Sequence, residues 1–144
     1  MLTGSLIVTG TADNTLWIYD DYGVILNVNN WQFTDNVRLS TDVCLLAMKA
    51  QDDGVDRGLI ASTNTGVVTD STWKCTVAEE EGWHTQNFDD SRWPSAVERY
   101  INGDGIWGFY DLIDPQAHWI WTDNEAPVIY CRKRLCPGEF TVCN

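Results

Sequence analysis

An all-β, antiparallel sandwich is what the sequence predicts, and three observations predict it. Short apolar stretches alternate with period 2, which buries one face of a strand and leaves the other wet. Clusters of Gly, Asn and Asp separate them, and helix signals are scarce. The 144 residues, 44% of them apolar, suit one domain that buries about 68% of its unfolded surface.

In chain order, Leu6 and Val8 alternate with Ile7 and Thr9, and Leu16 and Ile18 with Trp17 and Tyr19. Val24 and Leu26 bracket Ile25. Cys44 to Ala50 and Leu59 to Ala61 are short apolar runs, followed by Val67-Val68, Trp73 to Val77, His118 to Trp121 and Val128 to Arg132. Asp20-Asp21-Tyr22-Gly23 reads as a hairpin turn, Asp52-Asp53-Gly54 as another turn, and Asn27 to Asn30 as an asparagine-rich loop. Pro94 to Pro115 is the longest irregular region, with Asn102-Gly103-Asp104-Gly105 inside it; loops of such length usually carry function. By period 2, Trp119 and Trp121 share one face. The sandwich is assigned to residues 1–136 and a C-terminal extension to 137–144.

Net charge is −12, which argues against nucleic acid and against an anionic membrane surface. No apolar run approaches the roughly 18 residues of a membrane helix. Met1 precedes neither a basic start nor a long apolar core, so the chain reads either as intracellular or as a mature domain with an added initiator Met, and composition favours the second. Three lysines against eight tryptophans favour a secreted, extracellular protein. Five cysteines leave one unpaired or bonded to another chain. Cys136 and Cys143 flank the Pro137-Gly138 turn and are expected to close a short loop. Cys75 and Cys131 are expected to join two strands, and Cys44 to be a buried free thiol.

Four stretches together carry a resemblance. They are Thr11-Ala12-Asp13-Asn14 with Leu16 to Tyr19; Cys44 to Ala50 with Gly58 to Ser62; Gly82-Trp83 leading to Phe88-Asp89-Asp90-Ser91-Arg92-Trp93; and Trp119 to Trp121 with Val128 to Lys133. Over roughly residues 4 to 135 the chain resembles galactose-binding-like jelly rolls. Similar stretches occur in the non-catalytic sandwich domains of β-galactosidases and bacterial α-rhamnosidases, and in secreted animal proteins. In the bacterial enzymes the Trp73-like half precedes the Asp13-like half; here the order is reversed, as in a circular permutation or the animal arrangement. The resemblance implies core positions for Trp73, Trp83, Trp93 and one of Trp119 and Trp121. It also implies that Asp13 and Asn14 hold calcium and sugar hydroxyls beside a tryptophan.

Trp31, after Asn29-Asn30, is the candidate for that tryptophan; the plainer reading is a strand-entry turn with Trp31 packed inside. Calcium takes oxygen ligands from carboxylates and amides, and a flat indole covers the apolar face of a sugar ring. Trp107, beside Phe109 and Tyr110, is a candidate exposed platform, against simple loop packing. Asp52, Asp53 and Asp56, with Arg57, form a second acidic loop, read as a solvated turn or a calcium site. Asp89-Asp90 reads as a turn cap rather than an acid–base pair. His84 and His118 lie far apart, without a zinc spacing, and no nucleophile elbow or phosphate loop is present.

Three functions follow as expectations. The first is a non-catalytic, lectin-like module whose partner is a glycan or small molecule, with calcium assisting. The second is a structural or adhesive matrix module, present as a homo-oligomer or joined to a disulfide-linked partner. The third is a carrier of an apolar small molecule or pigment, using Trp17, Trp107 and Trp121.

Overall fold

The computed structural model describes residues 5–54 and 56–136. The extension at 137–144 and the expected Cys143 pairing lie outside the described residues. Ten strands form: β1 (Leu6–Asp13), β2 (Thr15–Asp20), β3 (Gly23–Val28), β4 (Asp35–Leu39), β5 (Leu45–Gln51), β6 (Gly58–Thr63), β7 (Lys74–Thr76), β8 (Val97–Ile101), β9 (His118–Trp121) and β10 (Val128–Arg134). They make two five-stranded antiparallel sheets, ordered β4-β1-β6-β9-β8 and β3-β2-β5-β10-β7. The all-β antiparallel sandwich is therefore present, and it is compatible with a jelly roll. Among the described residues there is no α-helix, so none long and apolar enough to cross a membrane.

Period-2 alternation builds the inter-sheet core. Leu6 and Val8 of β1, Leu16 and Ile18 of β2, Leu46, Met48 and Ala50 of β5, and Leu59 and Ala61 of β6 all point inward. Trp73, Ile120, Trp121 and Ile129 fill the rest. The central strands β5 and β6 are buried on both faces, because each outer face carries its own cover. Leu45 and Ala47 pack under Trp83, Trp93 and Tyr130. Ile60 packs under Trp107, Ile113, Ala117 and Trp119. The tryptophan surplus thus seals three clusters, two of them outside the sandwich proper. Trp119 and Trp121 do not share a cluster as period 2 requires. The β9 ladder is irregular: it meets β6 at Leu59↔Ile120, and its register against β8 shifts between Glu98 and Ile101.

The turn at Asp20 forms as expected. Its carboxylate accepts the Tyr22 N–H at 2.8 Å and the Gly23 N–H at 3.1 Å, and Gly23 takes a φ of 141°. Two strands escape the sequence reading, β4 and β8. Asn27 and Val28 belong to β3 rather than to a loop. Val67-Val68 makes only an isolated bridge, Ser62↔Val68.

Two disulfides cross-link the sandwich, consistent with an oxidising compartment. Cys75–Cys131 joins β7 to β10 as expected. Cys44, however, is not a free thiol, and Cys136 does not await Cys143: the two are bonded to each other. The β5–β10 pairing brings them together, since Arg134 lies opposite Leu45 and the Leu135 N–H donates to the Cys44 carbonyl at 2.9 Å.

The Asp89-Asp90 stretch caps and anchors. Asp89 accepts the Ser91 N–H at 2.9 Å, which holds its carboxyl below the ordinary carboxylate value. Asp90 is buried against the Arg132 guanidinium at 2.8 Å. Arg132, itself only 1% exposed, also donates to the carbonyls of Trp83, Thr85 and Phe88, and so ties the whole outer cover of β5 to β10.

Candidate functional site

One end of the sandwich collects the end of β1, the end of β5, the start of β6 and the 102–117 segment. The last of these is pinned rather than loose. The buried Asn102 donates its carboxamide to the carbonyls of Tyr110 and Ile113, each at 3.0 Å, and accepts the Tyr110 N–H at 2.9 Å. Gly103 and Gly105 take φ of 105° and 83°, which lets the chain reverse over them.

Trp107 sits under this arch. Its ring stacks on Trp119 with centroids 4.0 Å apart and planes 22° apart, and its indole N–H donates to Asp13 Oδ2 at 2.9 Å. Only 8% of Trp107 is exposed, so it is loop core and not an exposed platform. The reason is Gly58 at the start of β6, which leaves room for both indoles to reach the sheet.

Asp13 ends β1, and the Asp13–Asn14 peptide bond, which is cis, turns the chain into β2. Asn14 is engaged on both sides. Its N–H donates to the Gln51 carbonyl at 2.8 Å, and its side-chain oxygen accepts the Asp53 N–H at 2.6 Å. Asp52 is buried and faces Arg57 at 3.2 Å; Arg57 also reaches Glu125 at 2.8 Å. Asp53 accepts from Gln51 Nε2 at 2.9 Å. Of the expected oxygen donors, Asp13 therefore faces an indole, Asn14 a backbone amide, and Asp52 a guanidinium. Among the described residues no three His, Cys, Asp or Glu side chains converge as a metal centre does.

Burial is the main cause that raises the Asp13 carboxyl above its ordinary 3.8; Asp52 and Asp56 add repulsion, and the Trp107 N–H opposes it. An acid raised on folding favours the folded state fully below the unfolded value, and that advantage is lost as pH rises through the folded value. Asp13→Asn keeps an acceptor for Trp107 and removes the charge. The variant is expected to melt above the parent at pH 7, with the difference vanishing on acidification below the ordinary carboxylate range. Calorimetric melts across that interval check it, and a variant that melts lower at every pH refutes the account of a carboxylate destabilised chiefly by burial.

Tyr110 donates its hydroxyl to the Trp31 carbonyl and so clamps the 102–117 segment to the 29–34 loop. Burial, with the Asp13 charge behind it, pushes this phenol up to about 12, so it remains a donor at physiological pH. Between the two clamped segments lies a cleft of about 460 Å³, lined by Trp31, Gln32, Phe33, Thr34, Trp107, Phe109, Tyr110, Asp111 and Leu112. Phe33, Phe109 and Leu112 on its rim are 65%, 59% and 67% exposed, whereas Trp31 is half-buried against the Trp107–Trp119 cluster.

The structure thus brings Trp31, Trp107 and Tyr110 to one cleft, with Asp13 directly behind it. Asn14, Asp52 and Asp53 stand to the side, among the hydrogen bonds that hold the end of β5. Phe33, Phe109, Leu112 and the polar Gln32, Thr34 and Asp111 were not singled out as cleft residues. The available signal was large apolar side chains placed inside polar, turn-rich segments. Trp17 and Trp121 lie apart from the cleft: Trp17 is covered by Lys49 at 4.8 Å, and Trp121 is buried in the inter-sheet core. No protein-family model, curated protein or solved structure matches this chain.

Proposed function

We propose that this chain is a secreted, non-catalytic, lectin-like module of the galactose-binding-like type, and that it binds a carbohydrate in the cleft between residues 31–34 and 107–112. One observation carries the reading: exposed aromatic faces and hydrogen-bonding side chains line the same rigid cleft. Its volume of about 460 Å³ falls in the range of small-molecule sites. Apolar ring faces of a saccharide would lie on Trp31 and Phe109, and Gln32, Thr34 and Asp111 would orient its hydroxyls. Hydrogen bonds from Asn102 and Tyr110 fix both walls in advance, which lowers the ordering entropy of binding. A calcium ion assisting at the Asp13-Asn14 end would have to displace the Trp107 and Asp53 N–H groups that now bond those side chains, and the chelator arm of the titration below tests it.

A glycan array followed by calorimetric titration, with and without chelator, tests this. A neutral saccharide is expected to bind, and Phe109→Ala or Trp31→Ala to weaken it roughly tenfold or more, as for central aromatic contacts. Phe109 is exposed, so its variant should keep the parent's melting temperature. Silence across all neutral sugars, with a melting temperature indifferent to calcium, removes the reading.

The exposed rim of Phe33, Phe109 and Leu112 also favours a second reading, a carrier of an apolar small molecule. Displacement of a lipophilic dye, insensitive to sugar, selects it.

A further inference from the structure

The chain holds only nine Lys and Arg residues against twenty-one Asp and Glu. Four of the nine line a single cleft of about 250 Å³ together with Thr72, Asp90 and Ser91: Lys74, Arg132, Lys133 and Arg134. This cleft stands at the far end of β10 from the aromatic site. Val128, at the start of β10, lies opposite Gln51, next to the Asp52 turn; Arg134, at its end, lies opposite Leu45.

Among the described residues the one lining carboxylate, Asp90, is taken by Arg132 at 2.8 Å and faces Arg134 at 3.6 Å. The two lysines have neutral partners. Lys133 Nζ donates to Thr72 Oγ1 at 2.8 Å, and Lys74 Nζ to the Asp90 carbonyl at 3.4 Å. Asp70 accepts from the Thr72 N–H and hydroxyl, which leaves it one hydroxyl away from Lys133. Neither lysine forms an ion pair among the described residues.

Four cations line the cleft against one lining carboxylate, with Asp70 behind Thr72 and with Asp21 and Asp89 acting on the two arginines from outside, so the cleft is locally more basic than a molecule of net charge −12. Beyond a Debye length of about 8 Å the acidic surface is screened, so a compact anion senses the cleft itself. A long, uniformly charged polymer meets the acidic remainder as well. We propose that this cleft binds a tetrahedral oxyanion, a sulfate or phosphate group, with the Lys74 and Lys133 ammonium groups as its direct donors, while the neighbouring Thr72 and Ser91 hydroxyls remain bonded to Asp70 and Asp89. Arg132 is committed to backbone carbonyls and Asp90, and contributes its charge. The shared chemistry is the oxyanion itself, free or borne on a sugar, and the site is independent of the aromatic cleft.

The test is calorimetric titration of the full chain with a monosulfated disaccharide, its desulfated counterpart and inorganic sulfate, at low and moderate salt. The sulfated disaccharide is expected to bind and the desulfated one to bind at least tenfold more weakly, with affinity falling as salt rises. The Lys74→Gln, Lys133→Gln double variant should weaken the sulfated ligand by about tenfold, the sum of two modest charge contacts. Lys133→Arg should retain binding, which separates charge from folding; Lys74→Gln alone serves if the double variant melts early. Trp31→Ala should leave the sulfated ligand bound, so failure of the carbohydrate cleft and failure of this site are distinguishable. Inorganic sulfate competing as well as the ester assigns the site to the free ion, and weaker competition assigns it to the sugar-borne group; either supports the oxyanion site. Equal affinity for sulfated and desulfated ligands, no binding of either, an undiminished double variant, loss in Trp31→Ala, or tighter binding of a single-stranded oligodeoxynucleotide overturns it.

Discussion

Arg132→Met is expected to lower the unfolding free energy by about 3–5 kcal/mol, the usual result of breaking one side of a buried ion pair. The guanidinium is 1% exposed and Asp90 is 4% exposed, so neither partner is readily rescued by water. The substitution removes the donors to Trp83, Thr85 and Phe88 as well, and leaves Arg134, which donates to the Gln86 and Phe88 carbonyls, to hold the outer cover to β10. Urea unfolding followed by tryptophan fluorescence measures this, because Trp83 and Trp93 belong to that cover. Asp90→Asn in the Arg132→Met background should recover part of the loss by removing the orphaned charge. A single variant within about 1 kcal/mol of the parent contradicts the assignment of Arg132 as the anchor.

Gly58→Ala is expected to cost roughly 2–3 kcal/mol, the scale of an overpacked core. A Cβ at this position stands 2.5 Å from Trp119 Cε3 and 3.0 Å from Trp107 Cη2. Both indoles belong to one stack, and neither retreats without the other. Displacing Trp107 also breaks its hydrogen bond to Asp13 and shifts a wall of the aromatic cleft, so saccharide affinity falls together with stability. Gly54→Ala is the control: the nearest atom to its Cβ is Asp52 Oδ1 at 4.0 Å, and little change is expected. Parent-like denaturation midpoints for both variants contradict the packing argument.

How much of this was legible in the sequence depends on how local the signal is. The alternation in Leu6 to Thr9 and Leu16 to Tyr19 is a property of neighbouring residues, and those strands are where it puts them. β4 and β8 are edge strands. Asp35-Asn36-Val37-Arg38-Leu39 offers the core only Val37 and Leu39, so its polar majority reads as loop. Cys75–Cys131 is legible as a link between two strands, but Cys44–Cys136 is not, because nearness along the chain is not nearness in space. Cys44 and Cys136 are 92 residues apart, and only the β5–β10 ladder makes them neighbours.

The site was half legible for the same reason. Residue type and loop context point to Trp107 and Tyr110, the resemblance points to Asp13 with Trp31 beside it, and the four lie together. Which face of the loop Trp107 presents was not readable, because it depends on a glycine 49 positions earlier leaving room for an indole. Asn102, which holds the segment in shape, is indistinguishable in sequence from a flexible turn residue, because its carboxamide partners lie eight and eleven positions away.

β10 carries Cys131 within its length, and Cys136 lies two residues past its end. A pull on the chain beyond residue 136 therefore enters Cys44 through sulfur before it loads any rung of the β5–β10 ladder. From there the tension runs into β5, in the middle of its sheet, and a second covalent tie at Cys131 spreads it to β7. Force applied from this side meets covalent bonds rather than a ladder that opens rung by rung.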